Sequence, residues 1–232
     1  MPLFYQQDIN QQTRLGVWKI DEPEQFFLDV VPLQRSITHP GKRLQHLAGR
    51  YLLKHLFEDF PYREIQIAGT RKPFLPDEQY HFSISHCGAY AAAIVSRFDR
   101  VGIDIEIPTE KVFRILHKFL HKEELMQFKL ASTQVVALDE HLGDFELEDT
   151  DPSLPTLLWS VKESIFKWWG WGEVDFSDAM RLSSFEPKEE GNLTAMFIKN
   201  QIEIPLRVHY RQWENLVLTW TATEPDVIKR VD

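Results

Sequence analysis

A single cysteine, Cys87, stands among 232 residues. That excludes an intramolecular disulfide framework and a thiolate metal site built by this chain alone, so any metal must rest on oxygen or nitrogen ligands. Long hydrophobic runs are missing as well. The longest, "AYAAAIV" from Ala89 to Val95, is far too short to span a bilayer, and "MPLFYQQDINQQ" has no basic stretch leading into an apolar one. A cytoplasmic protein is expected. Positive charge is scarce: 26 Lys and Arg face 35 Asp and Glu, a net −9, which argues against a nucleic-acid surface with its broad positive field. Neither the P-loop pattern GxxxxGK[ST] nor a kinase-type glycine-rich loop occurs, so a phosphotransferase of either class has no motif in its favour.

What remains is the composition of a globular protein, 43% hydrophobic and 12% aromatic, long enough for one large domain or two small ones. Its acidity is uneven. Residues 1–100 hold 12 Lys and Arg against 11 Asp and Glu, so the excess of acid is C-terminal. Between Leu33 and Pro76 eight basic residues, among them Arg35, Arg43, Arg50, Arg71 and Lys72, face three acids. Such a stretch suits a phosphate-rich ligand or, more blandly, a solvated helix face.

"GKRLQHLAGRYLLKHLF" has apolar residues at helical spacing, which places Arg43, Arg50 and Lys54 toward the polar side. "HFSISHCGAYAAAIVS" predicts two strands broken at Cys87-Gly88, and "KVFRILHKFL" and "HKEELMQFKLAS" predict helices. Seven acids crowd Asp139 to Asp151, a loop or insertion. "PTLLWSVKESIFKWWG" predicts a helix closed by Gly170, and "LTAMFI", "IPLRVHY" and "NLVLTWTA" alternate like strands. Helix followed by strands thus occurs twice, predicting two α+β halves, 1–100 and 101–232.

Three patterns carry chemistry. In "VGIDIEI" strand alternation sends Ile103, Ile105 and Ile107 into a core and sets Asp104 and Glu106 on the other face, roughly 7 Å apart. Two such carboxylates repel unless they face solvent or share a hard divalent cation such as Mg²⁺. In "WSVKESIFKWWG" Glu163 and Lys167 lie one helical turn apart, with Lys162 just before the acid; they form an ordinary ion pair or, because aromatic residues bury much of this helix, face a cleft. In "HFSISHC" Ser85 and His86 point to opposite faces of a strand, which disfavours a nucleophilic triad. His86 is then either a structural histidine or a phosphate contact.

Taken in order, "RKPFLPD", "HFSISHCGAY", "VGIDIE" and "WSVKESIFKWWG" resemble the motif set of the Sfp-type 4'-phosphopantetheinyl transferases, over residues 71–172. The resemblance implies an α+β fold of two similar halves with pseudo-twofold symmetry, in one monomeric chain. It implies transfer of 4'-phosphopantetheine from coenzyme A to a serine of an apo acyl or peptidyl carrier protein, with release of 3',5'-ADP. Asp104, Glu106 and Glu163 would hold Mg²⁺, or Mn²⁺ in its place. Lys167 would contact the pyrophosphate, Ser85 and His86 would hold coenzyme A phosphates, and Lys72 would line the nucleotide site. Glu163 would be the base for the carrier serine, and Glu163, Lys167 and His86 the catalytic set.

Two departures stand out. Arg71 occupies a place where family members often have glycine, and Gln45 one where some have arginine, leaving Arg43 or Arg50 as substitutes. The rival expectation is a non-catalytic nucleotide- or carrier-binding module of the same fold. Under the first expectation Asp104→Ala removes a metal ligand from a solvent-accessible cleft, with loss of transfer and little loss of fold.

Overall fold

In the computed structural model, which describes residues 2–33, 36–131 and 151–227, alternating sequences build two large antiparallel sheets, with a small two-stranded one formed by residues 66–67 and 73–74. The chain runs through β1 (Leu3–Asp8), β2 (Thr13–Lys19), α1 (Glu24–Leu28), α2 (Pro40–Leu56), β3 (Gln66–Ile67), β4 (Pro73–Phe74), β5 (His81–Cys87) and β6 (Tyr90–Ser96). It continues with β7 (Arg100–Glu106), α3 (Leu116–Phe119), α4 (Lys122–Gln127), α5 (Ser153–Trp169), α6 (Phe176–Ala179), β8 (Met180–Leu182), β9 (Glu190–Lys199), β10 (Ile202–Trp213) and β11 (Leu216–Thr223). Arg35 and the acidic run from Asp139 to Asp149 lie outside the described residues.

The sheet orders are β1-β2-β6-β5 and β7-β11-β10-β9-β8. Within them one unit occurs twice: a strand, a long helix, and two later strands of which the last pairs antiparallel with the first. It is β2-α2-β5-β6 in one half and β7-α5-β10-β11 in the other. The fold is therefore α+β, two similar halves related by a pseudo-twofold.

Each long helix covers one face of its own sheet. Leu47, Leu52, Leu53 and Leu56 of α2 pack on Phe82, Ala91, Ala93 and Val95. Leu157, Leu158, Val161, Ile165 and Trp168 of α5 pack on Phe197, Leu206, Val208 and Val217. The remaining faces meet each other, Leu15, Val17, Ala92 and Ile94 against Val101, Ile103, Ile105, Leu216, Leu218 and Trp220. At about 2 kcal/mol for each fully buried aliphatic side chain, this shared cluster binds the halves together. It also brings edge strand β5 beside edge strand β7.

The structure departs from the sequence expectations at several points. The N-terminal segment forms the hairpin β1-β2, which its polar composition does not announce. "KVFRILHKFL" folds as a 3-10 helix over Glu110–Ile115 followed by the single turn α3. Helix α5 starts at Ser153, two residues before Pro155, because proline is tolerated in a first turn where its missing N–H costs nothing. Arg50 does not lie on a polar flank: it is buried and donates to His46 Nδ1 at 3.1 Å.

Candidate active site

Gly102 fixes how closely α5 lies on β7. A Cβ at this position would stand 2.1 Å from the Ser164 carbonyl oxygen and 2.6 Å from the Trp168 nitrogen, so only glycine lets the helix settle on the strand. Strand alternation then turns Asp104 and Glu106 the same way as Gly102, toward the helix. The helical turn from Glu163 to Lys167 comes down beside them. At the C-terminus of α5, Gly170 takes a left-handed conformation (φ +78°) and returns its N–H to the Phe166 carbonyl. A Cβ there would strike the Lys72 ammonium group at 2.3 Å, so Gly170 also makes room for Lys72. Arg100 completes this end, donating to the carbonyls of Trp168 and Trp169 while its guanidinium lies 4.4 Å from the Trp171 ring centre.

Around Asp104 the three carboxylates stand near enough for each to feel the others' charge. Lys167 Nζ donates to Asp104 Oδ1 at 2.5 Å and to Ser85 Oγ at 2.8 Å, and Ser85 Oγ donates to the same Oδ1 at 2.8 Å. The other oxygen, Asp104 Oδ2, is buried with no hydrogen-bond partner. Burial, then the neighbouring charges of Asp104 and Glu106, push the Glu163 carboxyl up to about 7, against the pull of Lys167. Burial and Asp104 likewise raise Glu106, whose Oε1 accepts from Trp159 Nε1 at 3.2 Å and which the Cys87 thiol also approaches. The thiol is itself pushed up to about 11, chiefly by burial, which disfavours the thiolate.

An unmatched buried oxygen among mutually repelling carboxylates is a donor set that fits a hard divalent cation. The fit is one of chemistry and not yet of assembly. Among the described residues no three His, Cys, Asp or Glu side chains are gathered onto one point, and Lys167 sits on Asp104. Asp104 is only 2% exposed, so it lies beneath the cleft and is not solvent-accessible as the sequence reading expected.

Beside this cluster opens a cavity of about 230 Å³, lined by Arg71, Lys72, Ser83, Glu163, Phe166 and Lys167 among others. Lys72 also reaches a second cavity of about 290 Å³, next to Arg100 and Trp171. Burial first, and Arg100 second, lower the Lys72 ammonium to about 7. Cations around a cavity with an acid at its edge can receive a phosphate-bearing ligand.

Comparison with known proteins bears directly on this arrangement. The sequence profile described as 4'-phosphopantetheinyl transferase superfamily matches residues 100–221, more than half of the chain. The chain belongs to that superfamily. It is 30% identical over 188 residues to enterobactin synthase component D of Salmonella typhimurium, covering 77% of this chain and 70% of the relative. To the protein of the same name from Escherichia coli K12 it is 39% identical over 79 residues, 33% of this chain and 37% of the relative.

In this phosphopantetheinyl transferase the motif residues are not all placed alike. Ser85, Asp104, Glu106, Glu163 and Lys167 come together, and Lys72 joins them across the cavity. His86 is exposed at the end of β5, on the strand face opposite to Ser85. Arg43 is held by both carboxylate oxygens of Glu24 at 2.9 Å and donates to the Ile37 carbonyl, and Arg50 is buried beside His46.

Sequence reasoning missed the group that seats α5. Lys162 does not share a face with Glu163. It is completely buried and donates to Glu124 Oε2 at 2.6 Å and to the carbonyls of Phe119, Met180 and Phe176. Glu124 also accepts from the N–H groups of His121 and Leu182. The usable signal was the position of Lys162 between Val161 and Ile165 on a helix that has little exposed surface to give it.

Proposed function

We propose that this enzyme moves 4'-phosphopantetheine from coenzyme A to a serine hydroxyl of an apo acyl or peptidyl carrier protein, releasing 3',5'-ADP. The observation that carries the reading is the Asp104 cluster: three oxygen-donor side chains from two elements, one of them with an unmatched buried oxygen, bordering a cavity with lysines on it. Asp104, Glu106 and Glu163 are the residues that would hold Mg²⁺. When bound, that ion neutralises charge on the pyrophosphate.

The chain's own groups supply the rest. Lys167, already aimed between Ser85 and Asp104, is the cation for the pyrophosphate and for the charge left on the departing nucleotide. A phosphate beside Lys72 offsets the burial that lowers its ammonium, because an opposite charge restores affinity for the proton. Glu163, on the wall of the cavity, is the carboxylate placed to take the carrier serine's proton as its oxygen attacks phosphorus. Residues 1–100 then supply the nucleotide-facing half and residues 101–232 the metal-facing half.

Intact-mass spectrometry tests this directly. Apo carrier proteins of fatty-acid and peptide-synthetase type, incubated with the enzyme, coenzyme A and Mg²⁺, should gain the mass of phosphopantetheine, and EDTA should prevent the gain. Coenzyme A binding with no gain on any carrier would favour the non-catalytic module instead.

A further inference from the structure

The turn that carries Arg71 is built for glycine. Ala68 donates its N–H to the Lys72 carbonyl, and Arg71 donates its own to the Ala68 carbonyl, each at 2.9 Å. Gly69, Thr70 and Arg71 therefore form a three-residue loop between β3 and β4, a type of loop whose last residue takes the left-handed conformation. Arg71 takes it, with φ +69°. Glycine would adopt that backbone without strain, whereas a side chain there is held against its preference. Strained positions of this kind gather where a side chain serves a ligand.

The surroundings of the side chain point the same way. Arg71 lines the 230 Å³ cavity together with Lys72, Glu163 and Lys167. Among the described residues its guanidinium has no hydrogen-bond or ion-pair partner. The arginines of α2 are otherwise engaged, Arg43 by Glu24 and Arg50 beside His46.

We infer that Arg71 takes the 3'-phosphate of the nucleotide at the rim of this cavity, and so selects coenzyme A over its dephosphorylated form. The inference rests on the coenzyme A reading above. With the pyrophosphate assigned to Lys167 and the carboxylates, the phosphate that takes no part in bond breaking is left for the rim. A terminal phosphate monoester is a dianion that matches the planar fork of a guanidinium better than the point charge of a lysine.

Calorimetric titration of wild type, Arg71→Gly and Arg71→Lys with coenzyme A and with 3'-dephospho-coenzyme A tests it. Arg71→Gly should melt at or above the wild-type temperature, because it relaxes the turn. It should nonetheless lose about tenfold or more in affinity for coenzyme A, while affinity for the dephospho compound stays within about twofold. Arg71→Lys should recover part of the loss. Equal weakening toward both compounds, or none toward either, overturns the assignment of Arg71 alone. A wild type that binds neither compound overturns the coenzyme A reading, and this assignment with it.

Discussion

Lys162 and Lys167 sit five residues apart on one helix, each against a carboxylate, at 2.6 and 2.5 Å, yet the two pairs are built to different ends. The Lys162–Glu124 pair is closed. The ammonium has four acceptors and both Glu124 oxygens are taken, so no charge is left for a ligand. The Lys167–Asp104 pair is open on one side. Lys167 keeps 25% of its side chain exposed, Asp104 keeps an unmatched oxygen, and two further carboxylates stand by. A buried ion pair with every atom matched is architecture; one with charge left over beside a cavity is chemistry.

The comparison can be broken from either side. The largest effect should come from Lys167→Ala, which should lower transfer by about two to three orders of magnitude, as does removal of a group that stabilises transition-state charge. Initial rates of carrier mass gain measure it, and a rate within tenfold of wild type would mean that Lys167 is not at the reaction. Lys162→Met should act on folding instead. Leaving Glu124 buried without its cation should cost about 3 kcal/mol in urea unfolding, while adding Glu124→Leu should recover only the part due to the uncompensated charge, because the N–H groups of His121 and Leu182 and the carbonyls that Lys162 served stay unmatched. If the double variant is no more stable than the single one, the pair does more than satisfy itself.

A third pair sets the lower end of the scale. Arg97 and Asp59 meet at 2.7 Å with their side chains 48% and 62% exposed. Asp59→Asn should move the melting temperature by no more than about 2 °C, since water screens such a pair. The hydroxyl of Tyr80, then Arg97, hold the Asp59 carboxyl below its ordinary 3.8. Its small stabilisation is therefore complete above that value and is lost as pH falls through the lowered one. Melting curves of wild type and variant should converge on acidification, and a gap that widened in acid would contradict the lowered carboxyl.

The same contrast separates what the sequence disclosed from what it hid. Asp104, Glu106, Glu163 and Lys167 were legible because strand and helix periods each put a pair on one face, and Gly170 because a left-handed helix end favours glycine. The burial of Lys162 was not legible. It depends on Glu124, which lies far away in sequence and has no periodic relation to it. Arg50 was misplaced for a similar reason: a helical wheel sees the helix but not the sheet packed against it. The β1-β2 hairpin escaped because "LFYQQD" buries its alternate side chains only partly, so its pattern barely rises above that of a polar loop.

The bonds of Asp104 to Ser85 and Lys167 gather groups that are made at three different moments of protein synthesis. Ser85 emerges first, in a half whose helix and strands can begin to order as the chain grows. Asp104 follows soon after, but its cation comes only with α5, and the last strand of the second sheet must emerge later still to cover Ile103 and Ile105. The cluster therefore cannot assemble before both α5 and β11 have been made, since only then can the second half close on the first.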